Sequence, residues 1–252
     1  MKSWAFILLF IGFVSFAQRK DSLLQLIAKE SDGTKKFELQ MLLAKQYLDN
    51  SQNDESIKIC KKILLSNPKE TEEPLKLIAK SYIVLAQIDS AQKYVSKGIY
   101  ISKKNKSLKN LASFYFIQSQ IFQYKANFTQ QANYSLKSIE IAKKINNNEL
   151  LELNFRNLAM LYLDQQDYKK ALEYSQKSLH YATLLKDIKR MGMANGAIGE
   201  TYSMMYVDDK ADYYFKKSYE QSEKAQFKIG AAWTLTNWAN IKSGKEALKM
   251  RE

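Results

Sequence analysis

This chain is nearly devoid of cysteine, histidine and proline. One cysteine, Cys60, excludes an internal disulfide, and one histidine, His180, leaves too few ligands for a zinc site of the Cys/His kind. The same scarcity deprives general base catalysis of its commonest residue, and no nucleophile and base stand at a legible spacing. Two prolines and 8 glycines in 252 residues leave few chain breaks, which excludes collagen-like and Pro/Gly-rich disordered classes and favours helices. Arginine is scarce as well: Arg19, Arg156, Arg190 and Arg251 stand among 39 basic residues. A net charge of +13 raises the question of nucleic acid, yet lysine is the poorer phosphate fork. Pairs such as Lys103-Lys104 and Lys143-Lys144 instead suit the solvated, negative ends of helices. Nucleic acid is therefore set aside as a partner, and no cofactor or metal is expected.

Three tempting clusters carry no chemistry. The run "GMANGAIG", with Gly192, Gly196 and Gly199, lacks the spacing of a phosphate loop and the strand that should precede it. Asp208, Asp209 and Asp212 lack the loop glycine and closing glutamate of a calcium site, and are expected to serve a turn and a helix N-cap. His180, between Leu179 and Tyr181, is expected to be structurally silent.

What the chain does have is apolar residue at helical spacing, 46% overall. It opens on "MKSWAFILLFIGFVSFAQ", where Lys2, an apolar run from Trp4 to Val14, and Ser15 and Ala17 form the pattern of a secretory signal peptide over residues 1–17. The run is shorter than the roughly 20 residues a spanning helix needs. Export, to the periplasm of a bacterium, is the expectation, with no spanning helix after cleavage. The following segment, residues 18–36, reads as a capping helix, with Asp21 or Ser22 as N-cap and Leu23, Leu24 and Ile27 facing the rest of the chain.

From residue 37 to 252 the sequence repeats itself. Ala159, Tyr162, Ala171, Tyr174 and Ser178 return forty residues later as Gly199, Tyr202, Ala211, Tyr214 and Ser218. Backward, the same offset reaches Ser119, Phe122, Tyr134 and Ser138, with Gln131 in place of the second alanine. The small positions Ala44, Ala79, Ser119, Ala159, Gly199 and Ala239 are separated by 35, 40, 40, 40 and 40 residues. Within a unit, Leu158, Leu161 and Tyr162 share one helix face and Ala171, Tyr174, Ser178 and Leu179 another, with the short polar "DQQD" between them. Two antiparallel helices follow, and the small residue lets their backbones approach. No pair buries its apolar face alone, so stacked neighbours must complete the core.

At these residues the sequence resembles the tetratricopeptide repeat family, whose signature runs large apolar, small, Tyr, turn, Ala, aromatic, Pro. Pro68 supplies the closing proline of the first unit, while Leu75, Tyr115, Phe155 and Leu235 stand where the family carries Trp. The resemblance implies an all-α fold, a right-handed superhelical solenoid of antiparallel helix pairs with a period of about 40 residues, five full units and an incomplete sixth. The sixth is expected to turn at "KSGK" and end in a short tail, leaving an apolar end that pairs with a second copy or a partner.

The resemblance further implies a non-catalytic scaffold that takes a protein or peptide in a groove lined by the first helix of each pair. By register the groove residues are Lys45, Lys76, Lys80, Phe116, Gln120, Tyr124, Arg156, Asn157, Met160, Met193, Glu200, Trp233, Asn237 and Asn240. The Lys, Asn and Arg set with which one subclass clamps a terminal carboxylate is not met in any register. A second implied reading is the sensor region of a bacterial histidine kinase or transcription regulator, which this chain, lacking an effector domain, would serve in trans or as part of a longer protein. If the first 17 residues direct export, N-terminal sequencing of the exported protein begins at Gln18. A mature chain beginning at Met1 contradicts export.

Overall fold

The computed structural model describes residues 16–66 and 71–249, with side chains over 20–66 and 71–241. The expected signal segment up to Ser15, and Pro68, lie outside the described residues. Among those described there are twelve helices and no strand: α1 (Phe16–Lys29), α2 (Gly33–Asp49), α3 (Asn53–Ser66), α4 (Glu72–Val84), α5 (Ile88–Lys104), α6 (Leu108–Tyr124), α7 (Phe128–Lys144), α8 (Asn148–Asp164), α9 (Tyr168–Leu184), α10 (Ile188–Met204), α11 (Asp208–Lys224) and α12 (Lys228–Lys249). The all-α class expected from the sequence is the one found.

One local rule generates most of this architecture. From α5 to α11 every helix has 17 residues and every link has three, the middle residue of the link lying in the left-handed region. At Lys106, Ala126, Asn146, Gln166, Lys186, Tyr206 and Gln226 φ is between 50 and 59°, and in the earlier links it is 60° at Ser51 and 56° at Ala86. The link after α6 shows how it closes: Asn127 N–H donates to the Phe122 carbonyl at 2.9 Å and Ala126 N–H to that of Gln123 at 3.0 Å. These are the two bonds of a Schellman motif, which satisfies carbonyls the helix end would otherwise leave unpaired. The last link residue then starts the next helix. Asn127, Asn147, Asp167 and Asp187 each accept a backbone N–H three residues on, at 3.0 to 3.1 Å. The period of forty seen in the sequence is thus twice a period of twenty.

The chain forms two compact units, one ending at Asn105 and the other beginning at Lys106. In the first, α2 pairs with α3 and α4 with α5, while α1 covers α2. Leu23, Leu43 and Tyr47 form the contact under α1. Met41, Ala44, Ile57, Cys60, Ile63, Leu77 and Ile78 form the main core. Burial pushes the Cys60 thiol up to about 12, so it behaves as a small hydrophobe rather than a nucleophile.

In the second unit α6 pairs with α7, α8 with α9, and α10 with α11, and α12 packs on α11. Each first helix also reaches the next first helix, α6 to α8, α8 to α10 and α10 to α12, so the first helices share one continuous face. The small residues do what the spacing predicts. Ser119 is fully buried and Ala159 is 2% exposed. A Cβ on Gly199 would stand 3.0 to 3.2 Å from the Phe215 ring of the paired helix. Beside each small residue a ring pair crosses the hairpin: Tyr82 with Tyr94, Phe122 with Tyr134, Tyr162 with Tyr174, and Tyr202 with Tyr214, at 5.4 to 5.7 Å between centroids. Gln131, in the alanine's place, is buried with no hydrogen-bond partner for its amide.

Five expectations need correction. Asp21 and Ser22 do not cap α1, because the helix already begins at Phe16; the capping residue is Asp32, which starts α2 by accepting from Thr34 and Lys35 N–H at 2.9 and 3.0 Å. Of the three apolar residues assigned to α1's inner face, Leu23 and Ile27 pack on the α2 core while Leu24 is exposed. "KSGK" is no turn, since α12 runs through it to Lys249; a lone glycine costs a helix only about 1 kcal/mol. None of the three aspartates is the N-cap of α11, which is Val207: Asp208 and Asp209 lie in its first turn, and Asp212 accepts from the Trp238 indole N–H at 2.7 Å. Ala239 is exposed, no described helix following to pack on it.

Replacing Ala159 by leucine is expected to lower stability by about 1–3 kcal/mol, since overpacking must part α8 from α9. His180→Ala, at an exposed position where the ring meets Tyr181 edge to face, leaves the thermal melt unchanged.

Candidate functional site on the first-helix face

The first-helix face of the second unit is hollowed by a cavity of about 380 Å³ between α8, α10 and α12, with Ser218 and Ser222 of α11 also in its lining. Arg156, Met160, Leu163 and Asp164 line it from α8, Met193, Ala197 and Glu200 from α10, and Ile229 and Trp233 from α12. Helical spacing explains the grouping: 156, 160, 163 and 164 share one face, as do 193, 197 and 200. The forty-residue register explains the hollow. Arg156 and Asn157 on α8 correspond to Gly196 and Ala197 on α10, so two side chains shrink at one level. A Cβ on Gly196 would stand 2.8 Å from Trp233 Cζ3, so only glycine admits the indole where it lies.

An ion cluster fixes the α8 side of the cavity. The Glu152 side chain, wholly buried, accepts from Arg156 Nε at 3.1 Å, Arg190 Nη1 at 2.7 Å and Ser178 Oγ at 3.1 Å. Arg190 also reaches Glu149 at 2.6 Å and Asp187 at 3.0 Å. Arg156 and Arg190 are thereby held by carboxylates, and removing one partner of so buried a pair costs about 3–5 kcal/mol. Glu200 differs. Burial, and then the neighbouring charge of Asp164, raise its carboxyl above the usual range. Among the described residues no cation pairs with Glu200 or Asp164.

Five of the residues assigned to a groove, Arg156, Met160, Met193, Glu200 and Trp233, therefore meet in one cavity. The others do not. Phe116 is buried in the core below α6. Asn157 is also buried, its amide donating to Ser119 and Ser135 hydroxyls at 3.1 and 3.2 Å, so it ties α6, α7 and α8 together rather than facing a partner. Gln120 and Tyr124 sit on α6 outside the cavity, Tyr124 exposed at the helix end. Asn237 donates to the Trp233 carbonyl within α12, and Asn240 is exposed. Lys45, Lys76 and Lys80 belong to the first unit: Lys45 and Lys80 are exposed, and Lys76 is mostly covered and paired with Glu73. In sequence Asp164 opens the polar link "DQQD"; its place eight residues after Arg156 is the signal that it shares the lining face. Glu152 had only its spacing of four before Arg156.

In sequence the chain matches no family model and no curated relative. In structure it is similar to known proteins. Over 85% of its length it superposes on 93% of BtubC (BKLC) from P. vanneervenii, with a TM-score of 0.71 and 14% identity. Over 86% it superposes on a third (33%) of a signal transduction ATPase with numerous domains from Pyrococcus horikoshii that carries a tetratricopeptide repeat sensor, with a TM-score of 0.72 and 19% identity. A Rap protein, solved in complex with Competence and Sporulation Factor, aligns over 91% of this chain and 71% of its own, with a TM-score of 0.65 and 13% identity. At such identities the likeness is one of fold, and the fold is the helix-pair solenoid of tetratricopeptide repeats.

The raised Glu200 carboxyl sets a pH dependence. Below about pH 4.5 the group is protonated folded or unfolded and costs nothing; as pH rises through its elevated folded value, the half-buried charge forms and stability is lost. Glu200→Gln is expected to melt higher than the parent chain at pH 7 and level with it near pH 4. Equal melting at both values contradicts an unpaired, desolvated carboxylate.

Proposed function

We propose that this chain is an exported, non-catalytic scaffold that binds a protein or peptide segment on the first-helix face of α8, α10 and α12. The observation that carries the reading is the cavity itself, apolar on three helices, with Met160 and Trp233 both more than two-fifths exposed. Aromatic and methionine side chains offered to solvent around a hollow are the composition of interface cores. Support also comes from the structurally similar Rap protein, solved in complex with Competence and Sporulation Factor. Export rests on the signal-peptide pattern of residues 1–17, and a non-catalytic role on the scarcity of histidine and cysteine.

A sensor role is the second reading, favoured by the structural likeness to the repeat sensor of the archaeal ATPase. It uses the same face. The two differ in what is attached to the chain or bound by it, an effector or a further structural partner.

Met160→Glu combined with Ile229→Glu alters two exposed positions and places charge at the mouth of the cavity. This pair is expected to reduce capture of the partner from an envelope extract at least tenfold with unchanged circular dichroism. Lys143→Glu with Lys144→Glu, in the last turn of α7, leaves capture intact. The opposite pattern places binding on the second-helix side.

A further inference from the structure

The cavity has a sign opposite to that of the chain. In a protein of net charge +13, the two ionisable groups that line it without a partner among the described residues are carboxylates, Asp164 and Glu200. Arg156, the one cation in the lining, has its Nε engaged by Glu152, a carboxylate wholly removed from solvent. Glu200 shares the lining with Arg156, Met160 and Asp164 of α8, the last of which raises its carboxyl; with Met193 and Ala197 on its own face of α10; with Ser218 and Ser222 of α11; and with Trp233 of α12. A desolvated carboxylate without a cation is costly to keep, and its cost is removed when a ligand brings the missing charge.

We propose that the cavity seats an arginine or lysine side chain of the bound segment, its charge against Asp164 and Glu200 and its methylene stem between Met160, Met193 and the Trp233 ring. The inference rests on the peptide-binding reading above and narrows it to one chemistry. Long basic side chains are amphipathic: the stem covers apolar surface while the head finds its counter-charge. Trp is the ring that best attracts a cation over its face. About 380 Å³ lies at the lower end of volumes that take a small ligand, which suits one side chain with its backbone rather than a whole folded element. An acidic segment is disfavoured, because it would set a third carboxylate beside two that already repel.

Random dodecapeptides displayed on phage and selected on the full chain provide the test, with affinities of the recovered peptides then measured by fluorescence anisotropy. The expected winners carry an arginine or lysine whose replacement by methionine weakens binding at least tenfold. Asp164→Asn with Glu200→Gln produces the same loss for the basic peptide and no further loss for its methionine version. That coupling separates charge pairing from general disruption. Winners without a basic residue, or winners indifferent to the double variant but weakened by Met160→Ala with Met193→Ala, overturn this inference and leave the binding face standing. Peptides indifferent to all four substitutions overturn both. The double variant keeps both side-chain volumes, and a melt at pH 7 no lower than the parent's excludes unfolding as the cause.

Discussion

Most of this architecture follows from a three-residue link whose middle residue is left-handed. None of the nine residues in that conformation is glycine, so each costs on the order of 1 kcal/mol against the steric preference of an L-residue. The two Schellman hydrogen bonds, the cap of the next helix and the packing of the hairpin offset that cost. Because links and helices keep one length from α6 to α11, residue n of one helix pair in the second unit corresponds to residue n+40 of the next. A change at one register position is therefore felt at one height on one face.

The candidate site is such a change. The position that holds Arg156 on α8 holds Gly196 on α10, and into the space left by the missing side chain α12 inserts Trp233. Next to it Asn157 becomes Ala197. The first two side chains are occupied with internal bonding, Arg156 to Glu152 and Asn157 to Ser119 and Ser135. The second two are too small to bond anything, and a cavity remains. Packing that is satisfied at one unit and relaxed at the next turns a repetitive surface into a specific one.

The repeated elements were legible in the sequence because they depend on local spacing. Tyr162 and Tyr174, twelve apart, announce a hairpin, and their rings stack across it at 5.4 Å. Ala159 and Gly199 announce close helices for the same reason. What was not legible depends on residues far apart along the chain. Asn157 reads as a groove residue beside Met160, and only Ser119, 38 residues away, reveals that it is turned inward. Glu152 reads as an ordinary surface acid until Arg190, also 38 residues away, is seen to reach it. The end of the chain misled for another reason: Gly244 and Lys245 look like a turn, yet a single glycine does not stop a helix that α11 already supports.

Site-specific photocrosslinking tests most directly whether the first-helix face receives the partner. Benzoylphenylalanine placed at Met160 or Met193, compared with His180 or Tyr213 on second helices, would be irradiated in the presence of the captured partner. The account predicts adducts from 160 and 193 and none from 180 and 213. Adducts confined to 180 and 213 would contradict it.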